Sequence, residues 1–333
     1  MRKISVVLIV LLLIPMSGLW AGGNDEKAGD DKVVFGIIPS SMSDEWNGYS
    51  VENFKYAAAK KGVEVVVLDP EWDGERAQNN LEDLITRGVD HVGVYVYTPE
   101  QAQDFINRAN EAGVPISFEN TKLVGSISGD IVANVAFEYY DFGYEAAKYI
   151  SQTYPGSKLF YVRGLPGMGI VEEYMRGIED AIKEFGTIEM TVYRDTSWDT
   201  ETALNATQDV IASGEKFDVI FANNESMAVG CYNALKDAGM DGDIPIVSTG
   251  GGPTGVQMLK DGIIQATIAG PVSLQGLYLF KAMYLYTVKG ITPPETYIEP
   301  PGVQAITLEN LDDNIPWAPS DDLIEMIGGL DSW

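Results

Sequence analysis

Two stretches decide the fold: "WDGERAQNNLEDLI", Trp72 to Ile85, and "WDTETALNATQDVI", Trp198 to Ile211, 126 positions apart. Seven of their 14 positions are identical, including the opening Trp-Asp and the later Ala, Asn and Asp. The flanks agree in pattern. An apolar run precedes each ("VEVVVLD", "IEMTVYRD") and another follows each ("HVGVYVY", "FDVIFAN"). Further upstream stand two more strand and helix pairs, "VVFGII" with "FKYAAAKKG" and "LFYVRG" with "IEDAIKEFG". The same order of elements on both sides makes this a duplicated unit of strand, helix, strand, helix, strand.

Short Val/Ile-rich strands alternating with amphipathic helices suit a parallel sheet covered on both faces. Right-handed crossovers then give two doubly wound, Rossmann-like α/β lobes. In such sheets ligands sit beyond the carboxyl ends of the strands, so two lobes would share a cleft between those ends. A chain of 333 residues is long enough for two such units.

The termini and charge narrow the class. Arg2 and Lys3 precede an apolar run from Val6 to Met16, and small residues follow at Ala21 to Gly23. Residues 1–23 therefore read as an export signal, with an uncleaved anchor as the rival, and 24–31 as a solvated linker. The only cysteine, Cys231, lies in the helical pattern "MAVGCYNAL" and reads as a small core residue. It permits neither an internal disulfide nor lipid attachment at the cleavage site, so the expectation is a periplasmic protein that is not a lipoprotein. The net charge of −27 repels nucleic acid and anionic membrane surfaces.

The strand ends supply the candidate site. Ser41, Ser43, Asp44, Glu45 and Trp46 follow the first strand, and Trp72 and Asp73 the second. "VYVYTPE" offers Tyr97 and Thr98, and "VPISFENT" offers Glu119 and Asn120. In the second unit the helix after "VRGLPGMG" carries Glu172, and "DTSWD" offers Trp198 and Asp199. "FANNES" gives Asn224 and Glu225, and "VSTGGG" gives Thr249 before a run of glycines. Indole planes accept the apolar face of a sugar ring, and carboxylates take strong hydrogen bonds from its hydroxyls. An unmatched hydroxyl costs about 1–3 kcal/mol, which supplies selectivity. The competing reading for any single acid is a solvated loop residue, and for Trp72 it is packing under its own loop.

Catalytic chemistry finds little support. His91, the only histidine, enters a strand with no nucleophile or metal-ligand spacing beside it and reads as structural. "GLPGMG" lacks the lysine and Ser/Thr of a phosphate loop, and "GGGPTG" has no basic partner. No metal or cofactor is expected. Acid pairs can serve a glycosidase, so a glycoside-processing enzyme stays as a distant third reading.

The chain resembles the ribose-type periplasmic sugar-binding proteins of ABC transporters, the type I periplasmic binding protein family. The resemblance runs from about Val33 to Thr307. It is carried by "NNLEDLITRGVDHVGVYVYTPEQ", "RANEAGVPISFEN", "FDVIFANNESMAVGCYNALKDAG" and "LKDGIIQATIAGPVSLQG". It implies two lobes joined by a three-crossover hinge, near Val132–Val135, Ala269–Pro271 and Val303–Thr307. The first lobe would be 32–133 plus 271–302, and the second 134–269 plus 303–333 with its tail, anchored by Trp317. The resemblance also implies a monomeric receptor that closes on a small carbohydrate-like ligand and docks an inner-membrane permease. A sensory or chemotaxis receptor of the same fold is the alternative. The family's contacts carry over to Ser43, Trp46, Glu119, Asn120, Trp198 and Asn224. The chain departs from the pattern elsewhere. Glu45 stands at an aromatic position and Glu172 at an arginine, while Thr249 and Gly250 replace an aromatic and an acid, and Gly270 a polar residue. The family's two arginine positions are Asn120 and Glu172 here, which disfavours an anionic sugar and leaves a neutral sugar, a polyol or an amine-bearing ligand.

Overall fold

The structure is a computed structural model that describes residues 32–123, 127–167 and 169–333. The expected export signal and linker, residues 1–23 and 24–31, lie outside the described residues.

The first half runs β1 (Val34–Ile38), α1 (Glu45–Lys61), β2 (Glu64–Val67), α2 (Gly74–Arg87), β3 (His91–Val94), α3 (Pro99–Ala112), β4 (Ile116–Glu119) and β5 (Ala133–Val135). The second repeats it as α4 (Tyr139–Thr153), β6 (Lys158–Arg163), α5 (Ile170–Phe185), β7 (Glu189–Asp195), α6 (Thr200–Ser213), β8 (Val219–Ala222), α7 (Glu225–Asp237), β9 (Ile246–Gly250), α8 (Pro253–Lys260) and β10 (Ala266–Ala269). Then come α9 (Val272–Lys289), β11 (Tyr297–Ile298), β12 (Gln304–Ile306), a short 3-10 turn and α10 (Asp321–Met326).

The duplication is visible in the sheets. One has the order β2-β1-β3-β4-β5-β11 and the other β7-β6-β8-β9-β10-β12, so corresponding strands take corresponding places. All pairings are parallel except β10 with β12, whose antiparallel register sets Ile268 opposite Ala305. Strands β3, β4, β8, β9 and β10 are buried throughout, as near-continuous apolar runs require of a sheet covered on both faces.

The duplicated motif forms the same device twice. Asp73 and Asp199 cap α2 and α6, accepting from Arg76 N at 2.9 Å and Thr202 N at 2.8 Å. Gly88 and Gly214 end those helices in the left-handed region, at φ 72° and 75°.

Helix α9 returns to the first lobe. Its Leu277, Phe280 and Met283 join Phe35 and Phe54 in one buried cluster. In the second lobe Gly143 of α4 and Gly177 of α5 let two helices meet at their backbones. A Cβ on Gly143 would stand 2.0 Å from Tyr174 O, and one on Gly177 2.1 Å from Tyr140 O. That close approach sets where the first turn of α5 faces the cleft.

Two boundaries differ from the expectation. The first sheet keeps β5 through Val135, two residues beyond the 133/134 division, because Phe118 and Glu119 pair with Asn134 and Val135. The tail divides. Strand β12 extends the second sheet, but Leu323, Ile327 and Leu330 are buried in the first lobe's core. Lys281 Nζ donates to Ile327 O at 2.7 Å, and Lys61 pairs with Asp331. Leu311 and Asn314 still contact the second lobe, and the residues from α10 onward cover the first, burying their apolar side chains in its core cluster.

His91 sits fully buried between Thr287 and Ser117, its two ring nitrogens 2.8 and 2.9 Å from their hydroxyls. Burial pushes it down to about 3, so it is neutral. Cys231 is buried beside Thr207 and pushed up to about 12. Among the described residues no helix is long and apolar enough to cross a membrane.

Candidate functional site

A cavity of about 430 Å³ opens between the carboxyl ends of the two sheets. The loop after β1 and the start of α1 supply Ser43, Asp44, Glu45, Trp46 and Asn47. Trp72, Tyr95 and Asn120 complete the first lobe's share. The second lobe adds Tyr139, Ile170 and Tyr174, the turn at Trp198 and Asp199, the run Asn223 to Ser226, and Thr249. Trp317 enters from the tail.

Trp72 and Trp198 both adopt left-handed backbone conformations, at φ 64° and 66°. For a bulky side chain this costs about 1–2 kcal/mol, and such strain concentrates at functional sites. Trp198 has a prepared seat. A Cβ on Gly164 would stand 2.1 Å from its Cε2, so only glycine lets the indole lie over that backbone. Asn224, the cap of α7, donates from Nδ2 to Trp198 O at 3.0 Å and accepts from Met227 N at 2.7 Å. One side chain thus fixes both the turn that carries Trp198 and the start of α7.

Asn223 is 2% exposed. Its Oδ1 accepts from Tyr161 Oη and Gly164 N at 3.0 and 2.9 Å. Its buried Nδ2 has no hydrogen-bond partner among the described residues, although the residue lines the cavity. A buried donor left unmade costs free energy that a ligand acceptor recovers.

Trp46 is held on several sides. Its Nε1 donates to Asn120 Oδ1 at 2.9 Å, and its ring packs edge-on against Phe137, Phe142 and Trp317. Asn120, at φ 63°, also accepts from Tyr139 Oη at 2.7 Å, a hydrogen bond between the lobes. Trp317 is 3% exposed. It donates to Gly270 O at 3.1 Å, and its own carbonyl accepts from Asn53 at 2.7 Å. The expected anchor of the tail is thus also part of the cavity wall. Gly270 is where these rings converge: a Cβ there would stand 2.7 Å from both Trp46 and Phe142.

Of the residues expected from the sequence, Ser43, Glu45, Trp46, Asn120, Trp198, Asn224 and Thr249 line the cavity. Tyr97, Glu119 and Glu172 do not. Tyr97 folds back and donates to Ser40 O at 2.7 Å. Glu119 points into the first lobe, where Oε2 accepts from Ser50 and Gln275, and burial pushes it up to about 7. Glu172 accepts from Gly167 N at 2.8 Å, on a different face of α5 from Ile170 and Tyr174. A helix brings i and i+4 together but not i+2, so the cavity-facing residue of that turn is Tyr174.

Sequence reasoning missed Tyr95, Tyr139, Tyr174 and Asn223. Tyr95 directly follows the last residue of β3, which was the available signal. The others depend on packing between distant segments.

Glu225 explains a departure in the sequence. Its Oε1 accepts from Gly251 N at 2.7 Å and Thr267 Oγ1 at 3.2 Å. A Cβ on Gly250 would stand 1.9 Å from its Oε2, and one on Gly255 2.3 Å from its Oε1. The glycines after β9 therefore make room for a carboxyl delivered from α7. Burial, then the charge of Glu45, pushes Glu225 up to about 8. Burial likewise raises Asp44 above the ordinary aspartate range. Among the described residues no group of three or more His, Cys, Asp or Glu could hold a metal ion.

Residues 35–290 match the periplasmic binding protein domain. The chain belongs to that family. It is 27% identical over 239 residues to the ribose import binding protein RbsB of Salmonella typhimurium, covering 72% of this chain and 79% of that relative. It is 25% identical over 299 residues to the xylitol-binding protein of Mycolicibacterium smegmatis, covering 87% and 82%. Two solved structures share the fold. An ABC transporter solute-binding protein from Bacillus halodurans with bound myo-inositol superposes with TM-score 0.76 at 22% identity, covering 86% of this chain and 98% of that one. A periplasmic solute-binding protein from Actinobacillus succinogenes with bound D-allose gives 0.77 at 21%, covering 85% and 100%. The family's two-lobed architecture and its binding role both apply to this chain: it is a solute-binding protein.

Proposed function

We propose that the chain is the receptor of an ABC importer. It captures a small carbohydrate-like solute, a sugar or polyol, between its lobes and delivers it unchanged to an inner-membrane permease. It works as a monomer in the periplasm. The carrying observation is the interlobe cavity in which Trp198 lies over Gly164 beside the unpartnered Nδ2 of Asn223. An indole face and a buried, unspent donor are what a hydroxylated ring satisfies together. The names of the relatives, ribose and xylitol binders, support the ligand class. Ser43, Glu45, Trp46, Asn120, Trp198, Asn224 and Thr249 are the proposed contacts. Closure would join the two halves of the site, and a ligand shifts that equilibrium by its differential affinity for the closed form.

A thermal-shift screen of sugars, polyols and nucleosides tests the reading. A true ligand at 100 times its dissociation constant adds about 2.7 kcal/mol of stability. Trp198→Ala should lose that gain; because the ring also packs on two buried clusters, its own unliganded melting temperature is the baseline for the comparison. Mass spectrometry of the released ligand should return the compound supplied. A different product would replace the receptor reading with an enzymatic one.

A further inference from the structure

Among the described residues four carboxylates line the cavity, and no cationic side chain does. Two of the four are already engaged. Asp44 and Asp199 accept from Asn47 N and Thr202 N, offsetting the positive ends of α1 and α6. Glu45 and Glu225 remain. Glu45 has no hydrogen bond or ion pair among the described residues. Glu225 is 6% exposed, and its Oε2 makes no hydrogen bond among the described residues. The space for that oxygen is prepared by Gly250. The two carboxyls come from opposite lobes and act on one another electrostatically.

Such a lining opposes anions, even though several helix N-termini point at it, because each carries its own acid. A neutral guest leaves the Glu45 carboxylate unpaired and the buried Glu225 carboxyl protonated. The walls add to the preference, since the indoles of Trp72 and Trp198 attract cations through their quadrupoles. We propose that the cavity takes a hydroxylated molecule bearing a protonated amine, an amino sugar or amino polyol, with its ammonium between Glu45 and Glu225. This rests on the reading of the cleft as a carbohydrate site and narrows its ligand class.

A proton should move with the ligand. The titratable groups facing Glu225 are Glu45 from α1 and Tyr174 from α5, while Gly250, Gly251, Gly255 and Thr267 complete its surroundings. Burial keeps Glu225 largely protonated at pH 7, and an ammonium placed beside it favours the carboxylate. The proton leaves to buffer.

The test is isothermal titration calorimetry on the protein with matched pairs: D-glucosamine and D-glucose, D-galactosamine and D-galactose, 1-amino-1-deoxy-D-glucitol and D-glucitol. The amine of at least one pair should bind about tenfold or more tighter than its hydroxyl twin, and N-acetylation should erase the gain. Titrations in buffers of different ionisation enthalpy should show proton release with the amine and none with the twin. Glu45→Gln, at the half-buried start of α1, should reduce the preference, with the melting temperature measured alongside to show that the fold is kept. Trp198→Ala should weaken both twins, and the amine somewhat more, because the indole face also attracts its charge. If the neutral twin binds equally or better, the amine assignment is overturned and the carbohydrate reading stands. If no member of any pair binds, both are overturned.

Discussion

Trp72 and Trp198 occupy the same place in the two halves of the molecule, with the same left-handed backbone and the same capping aspartate after them. Their rings fare differently. Trp198 lies over Gly164 and packs against two buried clusters of the second lobe. Trp72 is 40% exposed. The duplication kept the turn, which helix capping requires, and let the side-chain surroundings diverge. The second lobe offers a fixed plate and the first an exposed one.

The largest effect should therefore be lopsided. Trp198→Ala removes a plate already organised for a ligand, and affinity should fall by about 2–3 kcal/mol, roughly 30- to 150-fold. Trp72→Ala should cost under about 1 kcal/mol, since much of that ring is solvated in the unliganded protein. Calorimetry with any ligand found by screening compares the two. Equal losses would break the comparison.

Buried acids sharpen it by pH. Glu119 in the first lobe and Glu225 in the second are pushed up to about 7 and 8, chiefly by burial. A carboxyl whose folded value is raised binds protons more readily folded than unfolded. Stability is then greatest below the ordinary glutamate range and falls as pH rises toward the folded values. The unliganded protein should lose on the order of 6 kcal/mol between pH 5 and 9 from these two groups together. Glu119→Gln should flatten the slope up to about 7, and Glu225→Gln the part reaching about 8. Urea melts across that range give the slopes.

Gly164→Ala attacks the seat rather than the ring. Its new Cβ would meet the indole at 2.1 Å, so Trp198 must move or the backbone shift. Overpacking of this kind costs about 1–3 kcal/mol of stability, and ligand affinity should fall with it. A variant that melts and binds like the parent would show that the seat does not position the plate.

The repeat was legible because a capping aspartate, an αL tryptophan and helix-spaced apolar residues are local requirements, and local requirements leave marks in sequence. The doubly wound order followed from them. The site was legible only where a side chain stands at a strand end and points along the cleft, as at Ser43, Trp46, Asn120 and Thr249. Glu119 failed because, as the last residue of β4, it turns inward to Ser50 and Gln275, and the left-handed backbone at Asn120 presents that next residue to the cavity instead. Tyr97 failed because its hydroxyl turns back to Ser40 O, while Tyr95, packed edge-on against its ring, takes the cavity position. Gly250 read as a lost acid. The carboxyl in that space arrives from Glu225, 25 residues earlier, and no spacing rule links the two. The tail's attachment to the first lobe is a contact between α10 and α9, equally invisible before folding.

The smallest effect separates stability from binding at the paired caps. Asp73→Ala and Asp199→Ala each remove a side-chain acceptor from a helix N-terminus, at about 1 kcal/mol of stability apiece. Asp199 also accepts from Thr202 Oγ1 at 2.9 Å and lines the cavity, whereas Asp73 does neither. The two variants should thus lower the melting temperature by similar amounts while only Asp199→Ala weakens the ligand. If Asp73→Ala weakens binding as much, the first lobe's turn is as tightly organised toward the ligand as the second's, and the division into a fixed plate and an exposed plate fails.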